Sequence, residues 1–206
     1  MSELKVGHCL PLYLQNMLVL GALEDADDLP QNMNEDQQLL ATFRERASEQ
    51  AVQLLEDVFS TTLSGQGCVP YRADRRSQRR TVREYWYVEG RLYRPRERTA
   101  RAFWNLHLGC LKDKGPALTY VIGPQETASP VAMDDLASQV APAVGLESAN
   151  PRHCFTHKTG YEAGVVAAVV PLTAALGHAE ASKKLREGIE SFFGKHRAAF
   201  ETALEA

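Results

Sequence analysis

The chain has 206 residues, of which 44% are hydrophobic and 24% are charged, and its formal net charge is −3. This balance is typical of a globular protein with a substantial core and excludes a globally disordered chain. No apolar run reaches the ~18–20 residues that cross a bilayer, so no membrane association is predicted. We expect one domain that spans residues 1–206.

Two helices are predicted in the first third of the chain. The apolar residues 10–23 predict a short, largely buried helix. Only Lys5 precedes them, so they do not match the charged start of a signal peptide. Apolar residues then recur three or four positions apart from Leu40 to Phe59, and this spacing predicts an amphipathic helix over residues 35–63.

A β-hairpin is predicted next. Residues 72–83 show no apolar periodicity, which indicates a loop. The aromatic and β-branched residues 82–88 predict a strand. Glu89 and Gly90 form a candidate two-residue turn, although Glu suits the positive φ of such a turn poorly. Residues 91–94 are the predicted return strand.

Residues 101–111 fit two templates. A helical pattern matches part of the segment, but strict apolar alternation and the interior Gly109 favour a strand. A turn follows over residues 112–115, and residues 117–122 predict another strand. With the hairpin, these segments predict a central antiparallel meander of about four strands.

The last third of the chain is predicted to be mainly helical. Residues 131–144 predict a short helix, and residues 150–160 predict a loop. The apolar residues 161–176 predict a helix that Pro171 breaks or kinks. Residues 179–204 predict a long amphipathic helix. The predicted fold class is therefore α+β, with N-terminal and C-terminal helices flanking the meander.

Charge is distributed very unevenly along the chain. Residues 1–71 carry three basic and eleven acidic side chains, a net charge of −8. Residues 72–101 contain eleven arginines, no lysine and four acidic residues, a net charge of +7. Such asymmetry is informative about binding partners rather than about the fold.

The arginine-rich segment also carries tyrosines. Arginine binds phosphate and carboxylate groups through two parallel hydrogen bonds and stacks on aromatic rings. The pattern therefore predicts a binding or adaptor protein that contacts an acidic partner, either a protein or a nucleic acid. In the alternative interpretation, the arginines pair with the protein's own acidic first third. The predicted binding residues share one strand face and the preceding loop: Arg75, Arg76, Arg79, Arg80, Arg83, Tyr85, Tyr87, Arg91 and Tyr93.

The alternative function is an enzyme of unrecognised type with its site near the segment His153–His157. Cys154 and His157 have a spacing that can chelate a metal, but no second paired motif supplies the remaining ligands. No metal or cofactor is therefore predicted. The chain has none of the common nucleotide-binding, metalloprotease, serine-hydrolase or calcium-binding motifs. Its four cysteines are widely spaced, which predicts free thiols in a soluble cytoplasmic protein.

Overall fold

The computed structural model describes residues 3–24, 35–63, 72–74, 80–82, 85–93, 98–125, 130–157, 159–160 and 163–205. The helices are α1 (Cys9–Glu24), α2 (Glu35–Val58), α3 (Pro130–Val144), α4 (Pro151–Cys154) and α5 (His178–Glu205), and α2 continues as a π-helical segment, Phe59–Leu63. The strands are β1 (Arg72–Asp74), β2 (Arg80–Val82), β3 (Tyr85–Tyr93), β4 (Ala102–Leu111), β5 (Gly115–Pro124) and β6 (Val165–Pro171). The predicted α+β fold class is confirmed.

The strands form one antiparallel sheet with the order β1-β3-β4-β5-β6. The short strand β2 pairs with the same strand, β3, as β1 does. The four long strands β3 to β6 follow one another across the sheet in their order along the chain. This arrangement confirms the four-stranded meander, and it confirms a strand rather than a helix for residues 101–111.

The predicted hairpin within residues 82–94 is wrong, because β3 is one continuous strand. Glu89 lies opposite Asn105 and Gly90 lies opposite Trp104 in the middle of the β3–β4 ladder. A glycine within a strand leaves space for a bulky neighbour instead of making a turn. Part of the predicted loop 72–83 also pairs with β3, as the three-residue strands β1 and β2. Such short strands leave no periodicity in a sequence.

The predicted helix over residues 161–176 is also wrong, since Val165–Pro171 is strand β6. A short apolar run fits a buried strand as well as a helix. The four valines of β6 are β-branched and favour the strand. Pro171 lies at the strand end, where its missing amide proton does not interrupt the pairing.

Helices α1, α2 and α5 cover one face of the sheet, which we call the helical face. The rings of Tyr13 and Trp86 have centroids 5.2 Å apart, which places α1 on this face. The Trp86 indole donates a 3.2 Å hydrogen bond to Ser48 Oγ of α2. A Cβ atom built on Gly188 would lie 2.8 Å from Ala168 Cβ, which shows how closely α5 approaches β6. The sheet positions on this face are apolar or aromatic: Trp86, Val88, Trp104, Leu106, Leu108, Leu118 and Tyr120.

Candidate functional site

The opposite face of the sheet carries polar side chains, and we call it the polar face. Cross-strand partners share a face of a sheet. Tyr87 lies opposite His107, which lies opposite Thr119, and Glu89 lies opposite Asn105. Burying polar groups costs free energy unless they find partners. A polar row on a sheet is therefore the first place to look for function. Its members are Tyr87, Glu89, Arg91, Asn105, His107 and Thr119.

Three of the predicted binding residues whose side chains the structure describes lie on this face along β3. Tyr87, Arg91 and Tyr93 occupy alternate positions, so they share one face as the sequence predicts, but on one strand rather than across a hairpin. Tyr87 and Arg91 are half-buried. Tyr93 is only 1% exposed, so its ring packs inside the protein and does not reach an accessible surface.

The other predicted binding residues belong to the outer edge of the sheet or lie outside the described residues. The backbone of Arg80 lies opposite Tyr87. For Arg80 and Tyr85 the structure describes the backbone alone. The remaining predicted arginines lie outside the described residues, on the stretches that connect β1 to β2 and β2 to β3: Arg75, Arg76, Arg79 and Arg83.

The acidic helix α2 does not cover the half-buried Arg91. Its contact with Trp86 places it on the helical face, whereas Arg91 belongs to the polar face. Arg101 forms a 3.4 Å ion pair with Glu205, at the end of α5. No ion pair joins Arg91 or Arg98 to a side chain that the structure describes. The backbone of Asp74 lies opposite Arg91, and for Asp74 the structure describes the backbone alone. The described contacts therefore give no support to pairing of these two arginines with the acidic first third.

The segment after α4 lies along the end of β4 that β3 leaves unpaired. The Lys112 amide donates to the Cys154 carbonyl, and the Thr156 amide donates to the Cys110 carbonyl, each at 2.9 Å. These two bonds extend the sheet by a short strand-like contact. They bring the side chains that follow α4 onto the polar face.

This pairing creates a buried histidine pair. The ring centroids of His107 and His157 lie 5.3 Å apart, and the Phe155 ring lies 4.5 Å from His107. A Cβ atom on Gly109 would lie 2.7 Å from His157 Cε1, so a glycine here makes room for the ring. Burial lowers the pKa of His157 to about 4. Burial also lowers the pKa of His107 well below its usual range, and the nearby His157 adds to the effect. Both imidazoles are therefore neutral at neutral pH.

The other two candidate residues of the segment His153–His157 do not join this pair. His153 is exposed. Cys154 is buried, and its burial raises the thiol pKa to about 12, which keeps it protonated and poorly nucleophilic. No cluster of three or more metal-binding side chains occurs within the described part of the chain. The structure thus supplies two neutral imidazoles, without a thiolate nucleophile among the described residues of this segment.

Sequence reasoning missed two histidine contacts because each joins distant parts of the chain. One is the pair His107 and His157. The other joins His178 Nδ1 at the start of α5 to Asp57 Oδ2 of α2 at 2.6 Å, across 121 positions. The strict alternation in residues 101–111 was a usable signal for the first, because it places Asn105 and His107 on one strand face. No comparable signal marks the second.

Comparison with protein-family models, with curated proteins and with solved structures gave no match to this chain. No helix among the described residues is both long and apolar enough to span a bilayer. Function must therefore be inferred from the chain's own residues.

Proposed function

We propose that this chain is a binding or adaptor protein that contacts an acidic partner, protein or nucleic acid, through the outer edge of its sheet. The observation that carries the proposal is the placement of Arg91 and Tyr87 on the polar face of β3. Both side chains are half-buried rather than buried, and the acidic helix α2 lies on the other face. The accessible side of β3 is thus the arginine-bearing side.

The edge concentrates positive charge. Residues 72–101 carry a net charge of +7, and they include β1, β2, β3 and their connections. The backbone register brings Arg80 opposite Tyr87, four positions along β3 from Arg91, whose own backbone partner is Asp74. Guanidinium groups bind phosphate and carboxylate in the same forked geometry, so this edge suits an anionic surface of either kind.

Catalysis at the segment His153–His157 has weaker support. Its best feature is the buried pair His107 and His157, whose rings pack against Phe155. A nucleophile or general acid must reach its substrate, and these rings are at most 5% exposed. The protonated Cys154 thiol adds no reactive group. We therefore favour the binding function.

The proposal is tested by titrating the full chain into fluorescent heparin, a short single-stranded oligonucleotide and polyglutamate. Anisotropy should show binding at low salt that weakens linearly with the logarithm of salt concentration. The quadruple variant Arg75→Gln, Arg76→Gln, Arg79→Gln, Arg80→Gln should bind less tightly. The slope of its salt dependence should be shallower by up to about three to four counterions.

A matched control removes four exposed positive charges elsewhere: Lys112→Gln, Lys183→Gln, Lys184→Gln, Arg197→Gln. Its net charge equals that of the edge variant, so a general charge effect would weaken both equally. Preference for the oligonucleotide over heparin identifies a nucleic acid, and preference for polyglutamate identifies an acidic protein. A wild-type chain that ignores all three polyanions at low salt contradicts the proposal, as does equal loss in both variants.

A further inference from the structure

A pocket of about 140 Å³ lies between α3, β6 and α5, bounded by residues far along the chain from the arginine-rich segment. Its walls are small or branched apolar side chains, among them Val140, Val144 and Ala167. Polar side chains reach it from α5 alone: Ser191, Lys195 and His196. No Asp or Glu is among the residues that line it.

The shape of the pocket follows from residue sizes on α5. Gly188, Ser191 and Lys195 are spaced by three and four positions, so they lie on one face of the helix. Gly188 allows the close approach to Ala168 of β6, because a Cβ atom there would lie 2.8 Å from the alanine Cβ. The glycine end of this stripe is therefore where α5 approaches β6 most closely, while Ser191 and Lys195 are exposed to solvent.

The mouth of the pocket is positively charged. Lys195 is exposed, and it forms no ion pair with the described residues. Other cations of α5 are paired, as Lys184 is with Glu180 at 2.6 Å. The C-terminal end of α3 has the partial negative charge of a helix end. Lys114 offsets it, since its Nζ would lie 2.9 Å from a Cβ atom on Gly145.

We propose that this pocket binds a small apolar monocarboxylate, with its hydrocarbon group inside and its carboxylate at Lys195 and Ser191. An engineered apolar cavity of roughly 150 Å³ accommodates benzene, so the volume suits one aromatic ring or a branched short chain. A cation has no acidic side chain to pair with in this pocket. The site is separate from the proposed polyanion-binding edge, and each can fail without the other.

The test is titration of the ¹⁵N-labelled full chain with benzoate, with its neutral isostere benzamide, and with cationic benzylamine. Benzoate should bind with a Kd on the order of 1 mM, as expected for a ligand of this size. Its amide shift changes should cluster in α3, β6 and α5. Benzamide should bind about fivefold more weakly, because it lacks the ion pair, and benzylamine should bind more weakly still.

Two kinds of variant separate the contribution of the Lys195 charge to binding from the contribution of the pocket volume. Lys195→Gln should weaken benzoate binding about fivefold and leave benzamide binding unchanged. The control Lys183→Gln removes a lysine about 18 Å away along α5 and should change neither. Ser191→Phe, with Ala143→Phe as a second plug on α3, should abolish binding of both ligands. Absence of saturable benzoate binding overturns the proposal. Equal affinity for benzamide or benzylamine, or unchanged benzoate affinity in Lys195→Gln, overturns it as well.

Discussion

The two faces of the sheet are both buried at the centre but differ in chemistry. On the helical face, Trp104 stacks between Phe59 and Tyr120, with ring centroids 5.8 and 6.4 Å away. On the polar face, Asn105 and His107 are at most 2% exposed, and Asn105 Oδ1 accepts no hydrogen bond from the described residues. An unsatisfied buried acceptor costs free energy. The helical face contains such a group as well, because the buried Trp104 Nε1 donates no hydrogen bond to the described residues. The two faces therefore differ in the kind of side chain they bury, which is aromatic on the helical face and amide or imidazole on the polar face.

The polar face also changes across its width. Thr119 on β5 and His107 on β4 are fully buried, while Tyr87 on β3 is half-buried, although all three lie in one cross-strand row. The row therefore runs from the interior toward the accessible edge that we propose as the binding surface. No such gradient exists on the helical face, where Trp86 of β3 is still 95% buried.

The largest expected effect tests the role of the helical face. Leu54 of α2 is fully buried, and Leu54→Ala should lower the free energy of unfolding by about 2–5 kcal/mol in urea denaturation. Phe192→Ala, at 3% exposure, should fall in the same range. The control Leu39→Ala, on the same helix but 71% exposed, should stay within about 0.5 kcal/mol. Similar losses of stability in Leu54→Ala and Leu39→Ala would contradict the assignment of Leu54 to the core. Two separate unfolding transitions would contradict the single domain that we predict from the sequence.

Acid should destabilise the protein through the polar face. Above pH 6.5 His157 is neutral in the folded and the unfolded chain, so it adds no pH dependence. Below pH 6.5 His157 binds a proton in the unfolded chain, whereas in the folded chain it stays neutral down to about pH 4. The free energy of unfolding therefore falls as the pH is lowered from 6.5 to 4. The loss assigned to His157 is about 3 kcal/mol, and His107 extends it to lower pH.

The measurement is the free energy of unfolding between pH 7 and pH 4 for the wild type and for His157→Gln. Carboxylates titrate in both proteins, so the difference between the two curves isolates the histidine. The variant should be flatter between pH 6.5 and 4. Parallel curves would show that His157 is protonated in the folded state as readily as in the unfolded state. The polar face would then be accessible to solvent at His157.

The sequence predicts the elements whose periodicity is long and unambiguous, and it fails where a segment is short or its contacts are distant. The long helices α2 and α5 follow from apolar spacing over many turns. The run Val165–Pro171 is too short for its period to decide between helix and strand, and only its pairing with β5 decides. Glu89 and Gly90 resemble a turn locally, but the partners Asn105 and Trp104 make them part of a ladder.

The candidate site was predictable in part. Tyr87 and Arg91 share one face as predicted, but they do so through the alternation of one continuous strand and not across the predicted hairpin. The burial of Tyr93 depends on which elements cover each face, and a local pattern contains no such information. For the same reason, the sequence could not show that His107 lies beside His157, nor that Pro151–Cys154 is a helix within the predicted loop 150–160.

A smaller effect tests whether polar contacts between the helices that cover the helical face also contribute to the free energy of unfolding. His178 is 5% exposed and its Nδ1 lies 2.6 Å from Asp57 Oδ2, which is on a side chain that is 38% exposed. A double-mutant cycle with Asp57→Ala and His178→Ala should give a coupling free energy of about 1–2 kcal/mol, as for a hydrogen bond to a charged group. The exposed pair Lys183 and Glu187, 4.0 Å apart, is the control and should give a coupling below about 0.5 kcal/mol. Equal coupling in the two cycles would show that burial of His178 adds nothing.

The smallest expected effect is the one that best separates the arginine-rich edge from the rest of the fold. Arg91 lies on the polar face, away from α2, and has no ion pair with a described side chain, while the backbone of Asp74 lies opposite it in β1. Arg91→Met removes the charge but keeps most of the aliphatic stem that a half-buried arginine packs against its neighbours. The free energy of unfolding should therefore change by less than about 0.5 kcal/mol, at low and at high salt alike. Breaking a desolvated ion pair by removing one partner would instead cost about 3–5 kcal/mol.

Arg101→Met, which removes the exposed pair with Glu205, marks the intermediate case, at no more than about 1 kcal/mol. If Arg91→Met melts early and Arg101→Met does not, the arginine is part of the protein's own electrostatic framework. The accessible side of β3 would then be occupied by the chain itself rather than by a partner.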